Sequence, residues 1–224
     1  MSEPRLIEVS AQGGGVVVVT LDRPTKKNAL SIALRDEVTE ALNRLAANDD
    51  TRVVIVTGRG PVFSAGFDLT EFADSESQDQ LWESSDRFHH AVLRFPLPTI
   101  AAVNGPAIAG GFDLACLTDI RLVVEGAHFA HPEHDWAPVA YRPLHNLIGG
   151  SVARELLLTG RTIDAAEALR IGLVSAVTSP DELMPEALRR AQAIASAPRE
   201  VLLAMKAKII AVANIPEGLP TLEI

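Results

Sequence analysis

Three short runs built almost wholly of apolar residues, Val53–Thr57, Thr99–Val103 and Ile120–Val124, constrain this chain more than any other feature. Each has the length of one strand, and helical patterns lie between them. Strands that are apolar on every position need cover on both faces, so the runs predict a sheet with helices packed on each side. Upstream, Ile7–Ser10 and Val16–Leu21 flank Gly13-Gly14-Gly15 and read as a hairpin. Ser31 opens a helix with Ile32, Val38, Ala41, Leu42 and Leu45 on one stripe, and Asn48-Asp49-Asp50 ends it. A second helix carries Leu81, Phe88, Val92 and Leu93 and stops at Phe95-Pro96-Leu97-Pro98, and a third begins near Gly110.

The last third reads as helices alone. Asp164 with Glu167 makes a capping pattern, Gly172 stands where a helix C-cap belongs, and Ser179-Pro180-Asp181-Glu182 opens a further helix. Leu202, Met205, Ile209 and Val212 share one face of the final helix, while Pro216, Gly218 and Pro220 keep the tail out of one. With no repeat and no linker, the expectation is a single α/β domain over residues 1–224. Its core spans 1–175, and a helical segment spans 176–224.

Composition excludes several classes of function. A chain of 224 residues, 47% of them hydrophobic, buries a core without disulfides, and its one cysteine, Cys116, sits among apolar neighbours as a buried side chain. A net charge of −9 leaves no basic surface for nucleic acid; the densest basic spots are Lys26-Lys27 and Arg189-Arg190. No apolar run reaches the about 18 residues that cross a bilayer. The first residues, Met1-Ser2-Glu3-Pro4, lack the basic start and apolar stretch of a signal peptide, so a cytoplasmic location is expected.

Two segments place small residues just past a strand end, where α/β sheets commonly bind ligands. One is Phe63-Ser64-Ala65-Gly66-Phe67-Asp68-Leu69. The other is Asn104-Gly105-Pro106-Ala107-Ile108-Ala109-Gly110-Gly111, which also opens a helix and so points free N–H groups forward. The first of these, and the second extended back to Ala101, closely resemble the two signature segments of the crotonase (enoyl-CoA hydratase/isomerase) superfamily. Three further stretches agree in order and spacing: Leu21-Asp22-Arg23-Pro24 with Asn28-Ala29-Leu30, then Asp119-Ile120-Arg121, then Leu158-Thr159-Gly160 through Gly172-Leu173-Val174. The resemblance runs from about residue 6 to about residue 205.

The resemblance implies a crotonase-like spiral of ββα units with a shortened C-terminal helical region, assembled as a homotrimer or hexamer. It implies an oxyanion hole formed by the backbone N–H groups of Phe67 and Gly110. Ala65, Gly66, Phe67, Asp68 and Leu69 would contact coenzyme A, Gly110 and Gly111 would face the substrate, and Lys26, Lys27 and Ala29 would lie near the coenzyme A entrance. The ligand is then an acyl-CoA thioester of fatty acid metabolism, with coenzyme A carried by the substrate and no other cofactor.

Asp113 stands one helical turn after Gly110, and Glu133 follows Pro132 in Ala130-His131-Pro132-Glu133. By the resemblance these are the catalytic carboxyl groups of an enoyl-CoA hydratase: Glu133 gives a proton to Cα and Asp113 activates water. Asp113 departs from the glutamate usual there. A double-bond isomerase running on Glu133 alone and a non-catalytic acyl-CoA-binding protein are the alternatives; a thioester hydrolase has no specific support. The stretch His134-Asp135-Trp136-Ala137-Pro138-Val139-Ala140-Tyr141-Arg142-Pro143 replaces a glycine-rich one and predicts a bulkier, more polar pocket wall. His131, His134 and Asp135 do not have the spacing of a helical metal pair, so no metal is expected.

Overall fold

The computed structural model describes residues 5–72, 78–135, 137–220 and 223. The strands are β1 (Ile7–Gly13), β2 (Val16–Leu21), β3 (Val53–Gly58), β4 (Thr99–Val103), β5 (Ala107–Ile108), β6 (Ile120–Val124), β7 (His128–Ala130), β8 (Ile163–Asp164) and β9 (Ala176–Thr178). The helices are α1 (Ile32–Ala47), α2 (Leu69–Phe72), α3 (Gln78–Leu93), α4 (Gly110–Leu117), α5 (Arg142–Ile148), α6 (Gly150–Thr159), α7 (Ala165–Arg170), α8 (Pro180–Ala195) and α9 (Arg199–Ala213).

A six-stranded sheet runs in the order β1-β2-β3-β4-β6-β9, antiparallel only at the β1–β2 hairpin. Every residue of β3 and β4 is buried, which is the two-sided cover that their apolar sequences require. Helix α8 lies against β2, β3, β4, β6 and β9; α1 packs on β1 and α3, and α4 on α3, β5 and α5.

A second, small sheet, β5-β7-β8, explains the spiral. β4 and β6 are neighbours in the large sheet, and the strands that follow them, β5 and β7, are neighbours in the small one. Ser64, downstream of β3, adds a parallel bridge to Ala107 at the same edge. Three successive strands of the large sheet thus step into one short second layer, and the turns between layers come together in space.

The capping signals hold at two helices. Ser31 Oγ accepts from Leu34 N at 3.2 Å, and Asp164 accepts from Glu167 N at 2.7 Å. Ser179 sits at the N-cap of α8 without a side-chain bond, so Pro180 and the two acids of the first turn carry that start. The last third is not helices alone. Ala176–Thr178, at the predicted start of the helical segment, pairs with β6 as the edge strand of the large sheet, and β8 closes the small one. Both are too short, at three and two residues, to show a period in sequence. Cys116 is buried, and burial pushes its thiol far up, as expected of an inert core side chain.

Two long-range polar clasps fix the layers. Asp119 accepts from Thr99 N at 2.8 Å and from Lys206 Nζ at 2.7 Å, tying α9 to the sheet through an ammonium that is only 2% exposed. Arg121 donates to the carbonyls of Leu173 and Thr118, anchoring the connection into β9.

Candidate active site

The turn after β3 is held from outside by its neighbours. Ala65 N donates to Lys27 O at 3.0 Å, Leu30 N donates to Gly66 O at 2.7 Å, and Ser64 Oγ donates to Asn28 O at 2.9 Å. Asn28 is fully buried; its side chain accepts from Arg23 N and donates to Arg59 O and Val62 O, so one amide knits three loop strands. Asn104 repeats the device after β4, accepting from Gly58 N at 2.9 Å and donating to Gly60 O at 2.7 Å.

Gly66 has φ +86°, and a Cβ there would stand 2.7 Å from Ala109 Cβ and 3.2 Å from Gly110 N. Only glycine allows both the backbone angle and this approach of one turn to the other. Ala109 itself takes φ 53°, a strained angle for alanine, at the entry to α4. A Cβ at Gly110 would lie 2.8 Å from the Phe67 ring. The Phe67 ring therefore packs directly on Gly110, and neither residue's backbone N–H has an acceptor among the described residues.

Phe67 is braced from behind. The Arg35 guanidinium sits 4.4 Å from its ring centroid and donates to Leu30 O, Leu81 O and Ser84 Oγ. Burial pulls the Arg35 pKa down to about 10, so the group keeps its charge at neutral pH. Arg23 bonds Asp68 at 3.0 Å and Ala29 O at 2.8 Å, and Glu71 accepts from Ile32 N at 3.0 Å. These contacts lock α2 and its preceding turn onto the start of α1.

In front of the two turns lies a cavity of about 300 Å³ lined by Ala65, Phe67, Leu69, Phe72, Trp82, Ile108, Ala109, Gly110, Asp113, Pro132, Glu133, Ala137, Pro138, Val139 and Ala140. Asp113 and Glu133 are the two ionisable groups on it. The predicted polar wall is corrected here. The segment after Glu133 contributes alanine, proline and valine to the cavity, while His134 turns toward Gly160 and pairs with Asp135 at 3.1 Å, and Arg142 donates to Asn214 O. Trp136 lies outside the described residues.

Asp113 is buried, and its Oδ1 is 3.0 Å from His131 Nε2. Phe112 stacks on the His131 ring at 4.6 Å between centroids. Burial alone would lower the His131 pKa, but the Asp113 carboxylate outweighs it and the net shift is upward. Glu133 sits in a 3-10 turn, Pro132–Asp135, and its Oε2 is buried without a hydrogen-bond partner among the described residues. Burial raises its pKa, opposed in part by His131, so the carboxyl group holds its proton to higher pH than an ordinary glutamate. Donor atoms of Asp113, His131 and Glu133 lie within 4.8 Å of one another, the only such group found among the described residues. Nε2 and Oδ1 already bond each other there.

The structure brings Ala65, Phe67, Leu69, Gly110, Asp113 and Glu133 to one cavity. Gly66 and Gly111 instead make the close packing behind it, Gly111 against Ser64. The Asp68 side chain is engaged by Arg23, and Lys26 and Lys27 are exposed away from the lining. Residues that sequence reasoning missed are Phe72 and Trp82, which line the cavity, and Arg35, which braces Phe67; His131, read from sequence as a hydrogen-bonding residue of the site rim or a loop residue, has Asp113 as its partner.

Fold and site define a class: an α/β spiral in which two post-strand backbone turns and a pair of carboxyl groups face one apolar cavity. Comparison with known proteins agrees. The family model described as enoyl-CoA hydratase/isomerase matches residues 11–220. A Thermus thermophilus protein assigned to the enoyl-CoA hydratases is 38% identical over 88% of this chain and 84% of its own length. The crystal structure of an enoyl-CoA hydratase from Bacillus anthracis superposes with a TM-score of 0.90 at 33% identity, covering 95% of this chain and 85% of that one. A monofunctional enoyl-CoA isomerase from M. smegmatis superposes with a TM-score of 0.82 at 32% identity, covering 96% and 97%. The chain belongs to the enoyl-CoA hydratase/isomerase family of the crotonase superfamily.

Proposed function

We propose that this protein is an enoyl-CoA hydratase, adding water across the C2–C3 bond of a 2-enoyl-CoA. One observation carries the reading: two carboxyl groups in unlike settings, Asp113 paired with His131 and the half-buried Glu133 with its Oε2 unbonded among the described residues, stand on one cavity with Phe67 and Gly110. Unlike settings push two carboxyl groups toward opposite acid–base roles.

In the proposed reaction the thioester oxygen accepts from the Phe67 and Gly110 N–H groups. Asp113 takes a proton from water as the water oxygen bonds C3, and the C2–C3 π electrons move onto the thioester as an enolate. The two N–H groups carry that developing charge. Glu133 then gives its proton to C2, and exchange with solvent returns both carboxyl groups to their starting states. The coenzyme A contacts are assigned to Ala65–Leu69 backbone and, at the phosphate end, to exposed Lys26 and Lys27 with Ala29. The apolar lining suits a hydrocarbon acyl chain.

The isomerase reading is favoured by one finding, the likeness to the M. smegmatis isomerase. It needs only Glu133, moving a proton between C4 and C2. The test is to assay hydration and double-bond migration with wild type and Asp113→Ala. Hydration by wild type, lost by about 10²-fold or more in the variant, supports the proposal. Migration that survives in Asp113→Ala, with no hydration by wild type, replaces it with the isomerase. The homotrimer or hexamer would cover Met205, Ile209 and Val212, which stand exposed on α9.

A further inference from the structure

Asp113 lies on α4, and His131 follows β7 eighteen positions later, yet the two meet at 3.0 Å with both side chains buried. The imidazole is held on its face by Phe112, so its direction is set before any ligand arrives. Of the two Asp113 oxygens, Oδ1 has this partner and Oδ2 has none among the described residues, while Asp113 lines the cavity.

We propose that His131 is a positioning residue for Asp113: by donating from Nε2 to Oδ1 it fixes the carboxylate plane so that Oδ2 receives the attacking water. This rests on the hydratase reading. An aspartate is short, and an unanchored carboxylate rotates about its last bond. A misplacement of about 1 Å at a reacting atom costs on the order of 10²-fold in rate.

The charges around the ring act in the same direction. His131 faces Asp113 from α4 and Glu133 from the following turn, and the charge of Asp113 also acts on His89 of α3. Burial lowers His89, which favours its neutral form, so the cation beside Asp113 is His131. With its pKa raised, His131 stays charged to higher pH than a free histidine.

The test uses the full chain and crotonyl-CoA, comparing wild type with His131→Leu and His131→Gln. Glutamine places a neutral N–H donor near the Nε2 position. We expect His131→Leu to lose about 10²-fold in kcat with KM nearly unchanged, and His131→Gln to regain most of that loss. In His131→Gln the kcat profile should lose the His131 ionisation and keep only the alkaline fall set by Glu133. A fully active His131→Leu overturns the positioning role while leaving hydration standing. If wild type hydrates neither crotonyl-CoA nor longer straight-chain 2-enoyl-CoAs, the hydratase reading has failed. The pair is then judged by NMR of the ¹⁵N-histidine-labelled protein. His131 must stay protonated to higher pH in wild type than in Asp113→Asn, and equal titration overturns the pairing. The same spectra decide the matter if His131→Leu does not fold.

Discussion

The two walls of the cavity are built in opposite ways. The wall made by the turns at Gly66 and Gly110 is saturated apart from the Phe67 and Gly110 N–H groups: Asn28, Asn104, Arg23, Arg35 and Glu71 each satisfy backbone or side-chain partners across it. The segment after β7 leaves Glu133 Oε2, His134 Nδ1 and Tyr141 Oη buried without hydrogen-bond partners among the described residues. A backbone that must aim two N–H groups has to be rigid, so its surroundings leave it no alternatives. A carboxyl group that must exchange a proton has to keep an open valence, and the low-dielectric site that raises its pKa follows from the same lack of partners.

The proposed roles make this contrast breakable. Glu133→Gln should cost the most, about 10²–10⁴-fold in kcat, because it removes the proton that reaches C2. The sign of its pH dependence follows from burial. The folded protein holds the Glu133 proton above the ordinary carboxylate range, so its contribution to stability is complete below that range. As pH rises through the raised value, that contribution and the acid are lost together. A kcat/KM profile of wild type should therefore fall on the alkaline side of Glu133 titration.

Gly66→Ala should cost about 10²–10³-fold through a displaced Gly110 amide, measured as kcat on crotonyl-CoA. Wild-type activity in this variant would mean that the two turns do not act together. Arg35→Met tests the saturated wall by stability. It strands the Leu30 and Leu81 carbonyls, and about 3 kcal/mol of destabilisation is expected. For a chain of this size that lowers Tm by roughly 6–12 °C in a thermal melt. The smallest effect is expected for Lys26→Ala with Lys27→Ala: a rise of a few-fold in KM, shrinking as salt is added, with kcat unchanged.

Much of the fold was legible because its signals are local. The runs at Val53, Thr99 and Ile120 are almost wholly apolar, and the structure buries all of the first two and all but Ile120 of the third. Ser31 and Asp164 announce their helices through bonds three residues long. The β8 and β9 strands were not legible, since two or three residues carry no period and their pairing partners lie far along the chain. Within the site, Asp113 and Glu133 were readable from their motifs. The apolar character of the wall after Glu133 was not, because His134 and Arg142 turn away to partners at Gly160 and Asn214 that proximity in sequence does not reveal.

The sequence by itself determined the alternation of strands and helices, the two glycine-bearing turns and the family to which their motifs belong. Each of these rests on backbone preference and side-chain period within a few residues. Only the tertiary structure decided that the Gly66 turn packs against Gly110, that Arg35 lies under Phe67, and that His131 takes one oxygen of Asp113 while Glu133 Oε2 has no hydrogen-bond partner among the described residues. Those contacts join residues far apart along the chain. Their geometry comes from how two sheets share the same turns, not from any local preference.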